Sequence, residues 1–356
     1  MNLAANANAA LYASMIVFTL ALLAFTWHLA ARAPKVADSR VEAADGSQQD
    51  AAVEGREDVL VGSAASSAAA QAGGSVTGGG RGGTGVIDRR ATSRYAAGPA
   101  FVESAQSRQR GNIALMLTYL ATALLVASVL MRGLAVSRPP WGNMFEFATA
   151  GAAAVGVAYS VLAKRNRWQW LGVFIVGPIL LTLGLALTVL YTEAGELMPA
   201  LKSYWLGIHV SVAFISVAFF TLAFAIGIVY LVRLRREEHP PAKPNFVESL
   251  PSSAALERTA YTLNMVAFIL WTFTLIAGAI WAKQAWGAYW QWDPKEVWTF
   301  VIWTVYAAYM HSRATAGVDH RRSMTIALVG YVCVMVNFTL VNLVSTFVGM
   351  HNYSGM

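Results

Sequence analysis

Eight stretches of this chain are long and apolar enough to cross a lipid bilayer: approximately 9–31, 113–135, 144–163, 168–191, 204–232, 259–282, 294–312 and 324–349. A spanning helix needs about 20 mainly apolar residues, and it must satisfy its own backbone hydrogen bonds where no water is present. The pattern therefore predicts an all-α fold, a polytopic integral membrane protein with about eight transmembrane helices. Of the 356 residues, 56% are hydrophobic and 13% charged. A soluble domain is roughly a quarter charged, so a soluble globular enzyme is excluded. The single cysteine, Cys333, lies in an apolar run and rules out a disulfide framework, a CxxC redox pair and a cysteine zinc site.

Basic residues set the expected sidedness. The loops after spans one, three, five and seven carry 21 of the 26 Lys and Arg, and the loops after spans two, four and six carry the other 5. The positive-inside rule then places both termini outside and the basic loops in the cytoplasm. The net charge of +7 thus marks membrane orientation, and no nucleic-acid partner is expected. The first span has no basic residue ahead of it, unlike a cleavable signal peptide.

Residues 32–112 differ in kind. They are rich in Ala, Gly, Ser and alternating charge, with GGSVTGGGRGGTG near the middle. A segment of this composition buries too little apolar surface to offset its ordering entropy. The expected organisation is a first transmembrane helix at 1–31, a disordered cytoplasmic linker at 32–112 and a seven-helix body at 113–356.

The most informative stretch is 286–298, WGAYWQWDPKEVW, between spans six and seven on the outer face. An interfacial aromatic belt accounts for one or two tryptophans. It accounts less well for Trp286, Tyr289, Trp290, Trp292 and Trp298 within 13 residues, which read as an apolar platform for a large planar ligand. Asp293, Pro294 and Glu296 also read as a plain helix start, with an Asp cap, a proline in the first turn and a glutamate reaching back. Asn143 and Glu146 repeat the capping pattern at span three, where Trp141 would extend the aromatic surface.

Three of the six histidines stand out by depth. His209 precedes Arg233 by 24 residues, about 36 Å of helix, and so sits near the outer interface. His351 follows Arg322 by 29 residues, about 43 Å, at the outer end of span eight. His311 follows Glu296 by 15 residues, about 22 Å, and belongs to the inner half of the membrane. Two histidines converging beside an aromatic surface suit haem, whose iron takes imidazoles and whose ring stacks on apolar side chains. Arg132, Arg138, Lys202, Lys283 and Lys295 are candidate partners for its propionates.

WGAYWQWDPKEVW resembles the tryptophan-rich WWD signature of haem-handling proteins. An eight-span chain with flanking outward histidines is similar to the CcsA/ResC component of system II cytochrome c biogenesis, often labelled CcsB in actinobacteria, and the resemblance covers roughly residues 113–356. The resemblance implies a bacterial cell membrane protein, with its working face extracytoplasmic and a ResB-type membrane subunit as partner. Together the two would move haem b outward and attach it to the CXXCH motif of apocytochrome c as a haem lyase. By position, His209 and His351 resemble the two outer axial ligands and His311 the intramembrane ligand, the second intramembrane histidine belonging to the partner. His28 lies at a depth compatible with that second intramembrane position. The WWD residues, Asp293 among them, would bind the cofactor. A haem exporter and a system I-like delivery protein without ligation activity are the alternatives.

Overall fold

A computed structural model describes residues 3–54, 104–193, 195, 203–240 and 245–343, the side chains of 33–54 and of 343 excepted. His351, Lys202 and residues 55–103 lie outside this description. Eight long helices appear where the apolar stretches predict them: α1 (Leu3–Glu54), α2 (Ala105–Ala135), α3 (Met144–Asn166), α4 (Gly172–Val189), α5 (Tyr204–Glu238), α6 (Ser253–Trp286), α7 (Pro294–Ala314) and α8 (His320–Phe338). Seven of these regions are long and apolar enough to cross a membrane. The exception is α7, whose 21 residues would reach about 31 Å. Its ends carry Lys295, Glu296, His311 and Arg313, which lower its apolarity without shortening it.

Two boundaries depart from the expected ones. The first helix runs on to Glu54, and the second begins at Ala105, capped by Ser104, whose side chain accepts from the Ser107 amide. Alanine is the commonest residue of the extension from 33 to 54, with six of its 22 positions, and alanine propagates a helix once it is nucleated. Residues Lys35–Val102 form a separate unit, described only as far as Glu54.

Within the main unit, α1 buries one stripe: Ala7, Leu11, Ser14, Phe18, Ala21, Phe25, His28 and Arg32. The alternating spacing of three and four is a coiled-coil seam. Its opposite face exposes Ile16, Leu20, Leu23 and Trp27, as suits contact with lipid. Phe25 lies over Gly172, where an added Cβ would fall 2.4 Å from the ring. Gly156 of α3 likewise meets Thr122 of α2 at 3.0 Å. Small residues at such crossings let membrane helices approach closely.

The most extensive helix pair is α5 with α6, and α7 packs chiefly on α8. One end of the bundle is closed by an ion pair and a hydrogen bond to a carboxylate. Arg313 of α7 donates to Glu257 of α6 at 2.5 and 3.0 Å, and Glu237 of α5 accepts from the Ser253 amide at 3.1 Å. The 286–298 segment occupies the other end, at the junction of α6 and α7.

Candidate functional site

At that other end, helices α3 to α8 line a cavity of about 590 Å³, of the size that binds cofactors. Each helix contributes one stripe. Met144, Phe147, Gly151 and Val155 come from α3, and Leu206, His209, Val210, Phe214, Val217 and Thr221 from α5. Trp271, Thr274, Gly278 and Trp281 come from α6, and Tyr331, Val334, Asn337 and Phe338 from α8. The lining is overwhelmingly apolar. Its polar groups lie mainly where helices begin or end: Asn143, Lys295, Glu296, Asn337 and Asn342.

Among the described residues His209 is the histidine that lines the cavity, and Thr274, Trp281 and Gly278 border its ring. Its Nδ1 donates to the Thr274 carbonyl oxygen at 2.9 Å. A carbonyl only accepts, so the neutral imidazole carries its basic lone pair on Nε2. The ring stacks on Trp281 at 6.2 Å with an interplanar angle of 17°. Its Cε1 edge lies where a Cβ on Gly278 would come within 2.8 Å. Glycine at 278 is therefore what admits the imidazole between α5 and α6.

The α6–α7 loop is built by capping. Gly287 ends α6 in the left-handed conformation, φ 81°, and its N–H donates to the Lys283 carbonyl at 3.1 Å. Asp293 caps α7 while the Glu296 carboxylate accepts from the Asp293 amide at 3.2 Å and the Gln291 amide at 2.8 Å. Trp292, between these anchors, sits at φ 59° and is 76% exposed. A bulky side chain at positive φ is unusual and costs about 1 kcal/mol or more.

Residues 141–349 match the cytochrome C assembly protein family, and this stretch spans more than half of the chain. The chain belongs to that family. It is 32% identical over 262 residues to the cytochrome c biogenesis protein CcsA of Prochlorococcus marinus, covering 65% of this chain and 81% of that protein. It is 30% identical over 278 residues to the CcsA of a Synechococcus strain, covering 70% and 89%, and 27% identical over 279 residues to that of Porphyra purpurea, covering 68% and 86%.

Not all the residues singled out for a cytochrome C assembly protein converge. The cavity brings together His209, Tyr289, Trp290, Lys295 and Glu296, with Trp141 from the segment before α3. Trp286 instead packs edge-on against Trp281 at 4.7 Å, on the wall behind the imidazole. Trp290 and Trp292 stand at 89° to each other, so the five aromatics form no single plane. Trp298 is half-buried on α7 and Asp293 is buried as the cap; neither lines the cavity. His311 is exposed near the far end of α7, two residues from Arg313. His28 is buried against α2, its Nδ1 donating to the Ser107 carbonyl at 2.8 Å.

Among the described candidates for anion binding, every cation is already engaged. Glu146 is buried and accepts from Arg132 at 3.0 Å, from Arg138 at 2.6 and 3.0 Å and from the Gly142 amide at 2.8 Å. It is a clamp for two arginines rather than a cap partner, although Asn143 does cap its amide at 2.9 Å. Lys283 reaches the Gly287 carbonyl at 2.7 Å, and Lys295 the Asn337 carbonyl and Asn342 Oδ1 at 2.9 and 3.0 Å.

Sequence reasoning missed Phe147, Phe214, Trp271 and Trp281 as cavity walls. The signal was present as spacing: 206–210–214–217–221 and 271–274–278–281 are single faces of α5 and α6.

Proposed function

We propose that this chain is the haem-handling subunit of a system II cytochrome c synthase. With a ResB-type membrane partner, it brings haem b to the outer face of a bacterial cell membrane. There it presents haem for thioether attachment to the CXXCH motif of apocytochrome c. One observation carries the proposal: the cavity that meets the WWD segment is apolar, of cofactor size, and lined by an imidazole whose Nδ1 is bonded to Thr274. Such a donor set fits haem, since Nε2 is the nitrogen that ligates iron and a backbone acceptor on Nδ1 orients the ring.

In this reading His209 and His351 hold the iron from opposite faces, and Trp290, Tyr289 and Trp141 bound the macrocycle. His311, deeper along α7, receives haem first, with a histidine of the partner. The chain's own part is to bind, orient and exclude water, since the reactivity belongs to the cofactor. When the thioethers form, the imidazole of the CXXCH histidine replaces one of the two protein ligands.

The test is co-expression with a ResB-type partner and a CXXCH reporter in a host lacking maturation genes. Covalent haem on the reporter, dependent on both subunits, supports the synthase. Free haem outside the cell with none attached supports export alone and contradicts it.

A further inference from the structure

Three buried polar atoms on residues lining the 286–298 end of the cavity have no hydrogen-bond partner among the described residues: Glu296 Oε1, Asn337 Oδ1 and Trp141 Nε1. Two of the three accept hydrogen bonds and one donates. Buried polar groups are normally satisfied, and an orphan points to a ligand or to chemistry. The cations nearby are spent on Glu146, Gly287, Asn337 and Asn342. An anionic group would therefore meet a carboxylate and an amide oxygen here. A group bearing a proton fits better.

Of the groups that haem carries, the anionic propionates would be repelled here, whereas the neutral vinyl groups would not. The apocytochrome offers cysteine S–H. We propose that Glu296 is the general base and acid of thioether formation, an inference that rests on the synthase reading above. Its Oε1 takes the thiol proton, leaving a thiolate. The resulting carboxylic acid then gives that proton to the vinyl β-carbon as the thiolate sulfur bonds to the α-carbon. The S–H bond and the vinyl double bond are exchanged for S–C and C–H bonds. No electrons are gained or lost, and the carboxylate is regenerated.

The geometry suits the role. Oε2 is held by the Asp293 and Gln291 amides, so the carboxylate cannot swing freely and Oε1 has a fixed place. The charged groups around it are few. Asp293 and Lys295 share its turn, and the neutral Asn337 and Asn342 join it in the cavity lining.

Glu296→Gln tests this directly, because glutamine still accepts from both amides and preserves the capping box but takes no proton. The whole complex, co-expressed with its partner, is assayed for haem occupancy by absorption and for the single-turnover rate of covalent attachment to a CXXCH reporter. The expected result is wild-type occupancy with attachment slowed about 10²-fold or more. Glu296→Asp, which keeps a carboxylate on a shorter stem, should recover part of the rate. Wild-type attachment by Glu296→Gln overturns the proposal. So does a parallel loss of haem, which would make Glu296 a positioning residue. A wild-type complex carrying no haem defeats the synthase reading itself, and is visible before any variant is made.

Discussion

The Nδ1 of His209 on α5 donates to the carbonyl oxygen of Thr274 on α6 across 2.9 Å. This one bond joins the most extensively packed helix pair and fixes the imidazole tautomer at the cavity wall. Four residues further along α6, Gly278 leaves the space that the ring edge fills.

Gly278→Ala should therefore displace the imidazole without unfolding the bundle. The new Cβ would lie 2.8 Å from His209 Cε1, and overpacking of this kind costs typically 1–3 kcal/mol. The expected outcome is a folded protein with an altered haem absorption spectrum. An unchanged spectrum would mean that the ring is not held where ligation needs it.

Trp281 and Trp292 should separate sharply in a thermal unfolding experiment. Trp281 is 2% exposed and stacks on His209, so Trp281→Ala should lower stability by about 3–5 kcal/mol. Trp292 is 76% exposed, and Trp292→Ala should change stability by no more than about 0.5 kcal/mol. Equal losses would show that the exposed tryptophan is buried in the working protein.

Removing the Glu146 carboxylate should be severe. Arg132 and Arg138 both donate to it, and its side chain is fully buried, so Glu146→Ala leaves two arginines facing each other. Breaking a buried pair in this way costs about 3–5 kcal/mol. The check is yield and melting temperature in detergent, where a change under 1 °C would contradict the clamp.

Asp293 acts through its cap. Asp293→Asn should retain the helix start and haem occupancy, while Asp293→Ala should lose about 1 kcal/mol. If Asn fails as badly as Ala, the charge rather than the cap is what matters.

The helices and the start of α7 were legible in sequence because each has a local cause. Runs of apolar residues make spans, and Asp293, Pro294 and Glu296 make a cap wherever they fall. The heptad seam of α1 could also be read directly from 7, 11, 14, 18, 21, 25 and 28. What escaped depends on contacts distant in sequence. Glu146 reads as a cap partner until Arg132 and Arg138 are seen to converge on it. The aromatics of 286–298 read as one platform, yet the positive φ of Gly287 and Trp292 turns successive rings to different sides. The Thr274 acceptor that orients His209 lies 65 residues away in sequence, on α6, and no local pattern announces it.

The most direct test of the central claim is the absorption spectrum of the detergent-purified complex with its partner. The comparison is between the wild type and the double substitution of His209 and His351 by Ala. The account predicts a low-spin, bis-imidazole spectrum in the wild type and its loss in the double variant, with added imidazole restoring it in part. Full haem occupancy and an unchanged spectrum in the double variant would contradict it.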